Sequence, residues 1–199
     1  MNSSRVENSD SVRFARLVLA ASWIAAAWLL FLWTHETGHI LAALFTAGQI
    51  EQVVLHPLTF SRTDVSPNPA PMFVAWAGAL LGPLIAAIVL LPMRCIPTQG
   101  RALYRTLLGF VLIANGVYIG LGIIQPVADA ADMIRLGAPR WTLGLYGVPA
   151  TALGLVLWDG LNPVGSLPRS PARTDKISAF TLATLALVLA IAGTWCCPS

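Results

Sequence analysis

The stretch FLWTHETGHILAALF, residues 31–45, places His35, Glu36 and His39 inside one of the most apolar segments of a chain that has only three histidines. The pattern is His-Glu-x-x-His. On a helix, residues four apart share a face, so both imidazoles can reach one metal ion while Glu36 stands beside it. A zinc ion held this way needs a third protein ligand and keeps one position open for water, and Glu36 has the chemistry of the base that takes a proton there and passes it to a leaving amine. An ionisable side chain near a bilayer centre costs about 2.5–3.5 kcal/mol on insertion scales, so three together in an apolar run require a compensating partner. Gly38, between the ligands, would let another backbone approach closely.

The rest of the chain makes the bilayer the natural setting. Of its 199 residues 56% are hydrophobic and 11% charged, against about 25% charged in soluble domains. The expected fold class is an all-α polytopic membrane protein with about five transmembrane helices, near residues 14–45, 71–91, 103–124, 141–158 and 177–195, each long enough to cross a hydrocarbon core. They form a single integral membrane domain over residues 1–199, with no soluble domain left over. As one helix, residues 14–45 would reach about 48 Å against a core of about 30 Å, so this helix must tilt or project. The polar N-terminus precedes an apolar run longer than a signal peptide's core, which suggests a retained first span.

Between the first two helices, residues 48–69 contain IEQVVLHPLTFSR, whose β-branched and aromatic residues, split by Pro57, suggest a short hairpin or edge strand. The net charge of +3 is scattered between apolar runs, without the basic stripe that nucleic-acid binding needs. Cys95 stands alone and Cys196-Cys197 are adjacent, so no C-x-x-C metal or redox pattern is present.

Charge placement orients five helices. Arg5, Arg13, Arg16, Arg94, Arg101, Arg105, Arg169, Arg173 and Lys176 would share one side, and Arg62, Arg135 and Arg140 the other. By the positive-inside rule the N-terminus is cytoplasmic and the C-terminus external. His35 then lies about 28 Å beyond Arg16 along the first helix, toward the external face. Candidates for the third ligand are Asp129, Asp132 and Asp159, with His56 and Asp64 as weaker options. Asp129 and Asp132 follow the third helix to the external end, whereas Asp159 would end the fourth helix on the cytoplasmic side. Pro126 can open the backbone and turn the Asp129 carboxylate inward, and Asp132 would suit a partner to a ligating histidine or an ion pair with Arg135.

With these segments in order, the chain resembles the site-2 protease family of intramembrane zinc metalloproteases, in its M50B-like branch. HETGH matches that family's metal-binding helix, AGALLGPL (residues 77–84) its Gly- and Pro-containing neighbour, and NGVYIGLGIIQPVADAADM (residues 115–133) its later helix with Asn, Pro and Asp. The resemblance implies zinc bound by His35, His39 and Asp129, Glu36 as the base, Asn115 holding an extended substrate strand, and a hairpin after the first helix that offers its edge to substrate. It implies a transmembrane protein substrate in a lipid setting, and a chain of this size suits a bacterial plasma membrane. Two features depart from the family. Ala130 follows Asp129 where the family often has Gly, while Asp-Gly occurs at Asp159-Gly160. The charge count also puts the site externally, whereas better-known relatives cut near the cytoplasmic face.

Two other functions use the same residues: a catalytically silent scaffold or regulator that binds transmembrane helices, and a small proton or metal transporter. The halves of the chain show no repeat of the kind many transporters carry. The two G-x-x-x-G pairs, Gly78 to Gly82 and Gly116 to Gly120, are read as packing faces that bring the second and third helices around the first.

Overall fold

A computed structural model describes residues 3–56, 61–95 and 99–159. Helix α1 (Ser3–Phe45) runs for 43 residues, about 65 Å, and starts well before the expected residue 14. From Ser3 to Thr37 the sequence has neither glycine nor proline to stop it. It ends in a Schellman turn: Ala47 adopts φ 58°, the Gly48 N–H donates to the Ala43 carbonyl at 2.8 Å and the Ala47 N–H to that of Leu44 at 3.3 Å, which satisfies carbonyls the helix leaves open.

The chain then forms an antiparallel hairpin, β1 (Ile50–Val54) and β2 (Arg62–Val65), with Val53 opposite Thr63 and Gln52 opposite Asp64. An irregularity between Ile50 and Gln52 leaves Glu51 as the extra residue. The expected hairpin is therefore present, with its strands flanking the Pro57 region; Leu58 and Phe60 lie outside the described residues. Gly48 lets the hairpin fold back on α1, since a Cβ there would stand 2.9 Å from the Val65 side chain.

Helix α2 (Pro71–Leu90) opens on a proline, whose missing N–H is harmless in a first turn. It continues as a 3-10 turn over Leu91–Cys95. Helix α3 (Gln99–Gly120) precedes a short 3-10 turn, Leu121–Ile123. Helix α4 (Ala128–Arg135) has eight residues and α5 (Arg140–Trp158) has 19. The helices expected at 71–91, 103–124 and 141–158 thus all form, while 162–176 and the helix expected at 177–195 lie outside the described residues.

Glycines set the helix contacts. A Cβ on Gly38 would stand 2.6 Å from the Ala77 carbonyl oxygen, and one on Gly82 would stand 3.1 Å from the His35 Cα, so α1 and α2 meet backbone to backbone at the histidines. The second glycine pair behaves differently from expectation. Gly116 and Gly120 face α5, where Gly147 meets them, and not α1. The reason is helical phase: Leu107, Leu108 and Val111 pack against Phe31 and Leu32 of α1 and Ala86 and Leu90 of α2, and Asn115 continues that stripe, so Gly116 is turned by about 100° to another face. A second core joins Ala75 and Ala79 of α2, Ile119 of α3, Ala130 and Met133 of α4, and Leu143 of α5.

Among the described residues three helices are long and apolar enough to cross a membrane: Pro71–Cys95, Gly100–Ile123 and Arg140–Trp158. They expose large apolar side chains, including Leu80, Leu84, Ile88, Leu145, Val148 and Val156. Hydrocarbon is the solvent that makes such a surface favourable.

Candidate metal centre

The two histidines of α1 are buried, with their Nε2 atoms 3.2 Å apart. Each uses its other ring nitrogen on a fixed acceptor. His39 Nδ1 lies 2.7 Å from the Val74 carbonyl oxygen in the first turn of α2, and that oxygen can only accept. His35 Nδ1 lies 2.8 Å from Asn115 Oδ1. The Asn115 amide cannot be turned round, because its Nδ2 donates to the Val111 carbonyl at 2.9 Å. Both histidines therefore carry their proton on Nδ1 and present a lone pair on Nε2, the arrangement by which neighbouring groups set a metal ligand's tautomer.

Asp129 completes the group. After α3 and its 3-10 turn, Pro126 and the extended Val127 lead to Ala128 at φ 43°, and Asp129 enters the first turn of α4. A positive φ at a residue with a side chain is uncommon and tends to mark functional turns. The Asp129 backbone N–H donates to the Tyr118 hydroxyl at 3.4 Å, and the Tyr118 ring meets His35 edge-on at 5.6 Å. Asp129 Oδ2 lies 2.7 Å from His35 Nε2 and 3.4 Å from His39 Nε2.

Three lone-pair atoms, two neutral imidazole nitrogens and a carboxylate oxygen, thus converge within 4.8 Å of one another. They repel unless a cation or a proton lies among them. Ligand atoms about 2.0–2.1 Å from a tetrahedral zinc are about 3.3 Å from each other; the pairs made by His39 Nε2, at 3.2 and 3.4 Å, match this, while His35 Nε2 and Asp129 Oδ2, at 2.7 Å, would have to part by about 0.6 Å. Gly78 leaves the necessary room, since a Cβ on it would stand 2.6 Å from His35 Nε2 and would also strike His39 Nε2. The donor set and this glycine cradle fit a zinc ion. The histidine side chains are 5% and 7% exposed and that of Asp129 is 22% exposed, so access is from the aspartate side.

Glu36 is buried, 3% exposed, and near enough to interact electrostatically with His35, His39 and Asp129. The Thr63 hydroxyl, on β2, donates to its Oε2 at 2.8 Å.

The remaining candidates are elsewhere. Asp132 pairs with Arg135 at 2.9 Å on the outside of α4. Asp159 follows α5 beside Arg105, whose Nη2 donates to its backbone carbonyl near the start of α3. Asp64 pairs with Arg62, and His56 lies in the loop after β1 outside the cluster. Asn115, which the resemblance assigned to substrate, is buried against His35. Sequence reasoning missed Gly78, Val74 and Thr63. AGALLGPL carries a signal for Gly78, both as a packing face and as the family-like neighbour of the His-Glu-x-x-His helix, but not for the room it leaves at the two imidazoles; a backbone carbonyl and a hydroxyl in a hairpin have no motif.

No curated protein and no solved structure gives a significant match to the chain. A family model described as Peptidase M50B-like matches residues 14–119, which include the His-Glu-x-x-His helix, Gly78 and Asn115 and stop short of Asp129. That match covers more than half of the 199 residues, and the chain belongs to the Peptidase M50B-like family.

Proposed function

We propose that this protein is an integral membrane zinc metalloendopeptidase that hydrolyses peptide bonds in or near transmembrane segments of partner proteins. One observation carries the proposal. Two imidazoles with their protons committed elsewhere and one aspartate present three lone pairs to a single point beside a buried glutamate, in a chain of a peptidase family. His35, His39 and Asp129 would hold zinc, which when bound supplies Lewis acidity toward a peptide carbonyl and toward water. Glu36 would accept a proton from that water and return one to the leaving amine nitrogen.

The surroundings support the same reading. The apolar helices supply a lipid setting, with α1 from about residue 17 onward as a further span and the N-terminus on the cytoplasmic side. A peptide bond in a transmembrane helix is shielded by its own hydrogen bonds, so the substrate must unwind before attack. Among the described residues the sheet has two strands, so each has an outer edge on which an extended segment can be held.

The test uses detergent-purified full chain. About one zinc per chain is expected, with hydrolysis of quenched fluorogenic peptides that each contain one transmembrane segment. Glu36→Gln should keep the zinc and lose hydrolysis by about 100-fold or more, the scale general acid–base catalysis supplies. A folded wild type without zinc, or a Glu36→Gln variant as active as wild type, would overturn the proposal. Zinc with no hydrolysis of any peptide would instead favour the silent scaffold.

A further inference from the structure

The hairpin approaches α1 with one side chain at the site. Along β2 successive side chains point to opposite faces. Arg62 and Asp64 point outward, their side chains 60% and 40% exposed, and pair with each other at 2.9 Å. Thr63 points the other way, toward α1, and its hydroxyl donates to Glu36 Oε2 at 2.8 Å. Among the described residues this is the hydrogen bond that the Glu36 side chain makes. We infer that Thr63 is a positioning residue for Glu36: it fixes the carboxylate from outside the helix that carries it, and so makes the hairpin part of the proton-transfer apparatus.

The chemistry follows from the donor count. A threonine hydroxyl has one proton to give, and a carboxylate has two oxygens. With the proton given to Oε2, rotation of the carboxylate is restrained and Oε1 keeps its lone pairs for a proton from water. The two hydroxyls nearest in α1 do not do this, because Thr34 and Thr37 direct them to the backbone carbonyls of Leu30 and Trp33 in their own helix. The hydrogen bond has a second consequence. Val53 of β1 lies opposite Thr63, so any segment that pairs with the hairpin and shifts it also shifts the group that orients the base. Engagement of an extended segment and alignment of Glu36 are therefore mechanically linked.

This inference rests on the peptidase reading, and the experiment separates the two. Zinc content, kcat and KM for a quenched fluorogenic peptide with one transmembrane segment are measured for wild type, Thr63→Val, Thr63→Ala and Thr63→Ser, beside Glu36→Gln. The expected result is about one zinc per chain throughout, kcat lowered about 10-fold or more in Thr63→Val and Thr63→Ala with KM little changed, and recovery in Thr63→Ser, since small misplacements of a reacting group are expensive. Amide hydrogen exchange of β2 gives a readout independent of turnover. Thr63→Val and Glu36→Leu should each speed exchange at Thr63–Val65, and the double variant should exchange no faster than either, because both remove the same bond. Wild-type kcat in both Thr63→Val and Thr63→Ala would overturn the inference, as would a Thr63→Ser variant as impaired as Thr63→Val or additive effects on exchange. An inactive wild type, or activity that survives Glu36→Gln, would overturn the peptidase reading instead. The exchange cycle would still decide the contact.

Discussion

Gly78 faces both histidines of α1 so closely that a Cβ on it would stand 2.6 Å from His35 Nε2 and closer still to His39 Nε2. The glycine is on α2, which the histidines do not share, so the room beside their Nε2 atoms is set by the contact of two helices. Gly78→Ala should therefore remove zinc almost completely while the helical content survives. Metal analysis with circular dichroism checks this, and a Gly78→Ala protein that still holds one zinc per chain would show that the ion lies away from the glycine.

The His35–Asn115 hydrogen bond predicts a different kind of defect. Asn115→Leu removes the acceptor for the His35 Nδ1 proton and frees the ring to turn. Loss of such a supporting group commonly lowers metal affinity by about 10–100-fold. Asn115→Asp, which retains the acceptor but gives up the donor to the Val111 carbonyl, should lose less than Asn115→Leu. Competition with a chelator measures both. If Asn115→Leu keeps wild-type zinc affinity and raises KM, the residue serves the substrate strand that family resemblance assigns to it.

A three-aspartate series tests the ligand set. Asp129 meets both histidines, whereas Asp132 is paired with Arg135 and Asp159 is beside Arg105. Asp129→Ala should lose bound zinc, and Asp132→Ala and Asp159→Ala should retain it. Retention in Asp129→Ala with loss in either other variant would require a different arrangement of α4 around the histidines.

The parts of this site differ in how legible they were in the sequence. His35, Glu36 and His39 are local: the four-residue spacing fixes their common face whatever surrounds the helix. The apolar helices at 71–91, 103–124 and 141–158 were legible for a similar reason, since length and composition decide them. Asp129 was reached only with help from topology and Pro126, because α4 is too short to announce itself and its entry depends on Ala128 at positive φ. Thr63 and the Val74 carbonyl were beyond reach, as their roles come from folding the hairpin and α2 onto α1. The face of the second glycine pair was misjudged because G-x-x-x-G records that a helix makes a close contact without recording with which neighbour.

That second glycine contact gives the last prediction. Gly147 of α5 sits so near α3 that a Cβ would stand 2.6 Å from Gly120 Cα and 2.7 Å from the Gly116 carbonyl oxygen. Backbone cannot move aside as the tip of a flexible side chain can, so Gly147→Ala must push α3 and α5 apart. Overpacking of this kind typically costs about 1–3 kcal/mol, and thermal unfolding in detergent should show a lower midpoint. Zinc stoichiometry in the folded fraction should stay near wild type, because α3 contacts the site through Asn115 on a different face from Gly116. The contrast with Gly78→Ala is the informative part: one glycine substitution should remove the metal and spare the fold, and the other should weaken the fold and spare the metal. Should Gly147→Ala abolish zinc binding in protein that is still folded, α3 would have to transmit the displacement across its width to His35, and the two helix pairs could no longer be treated as separate packing units.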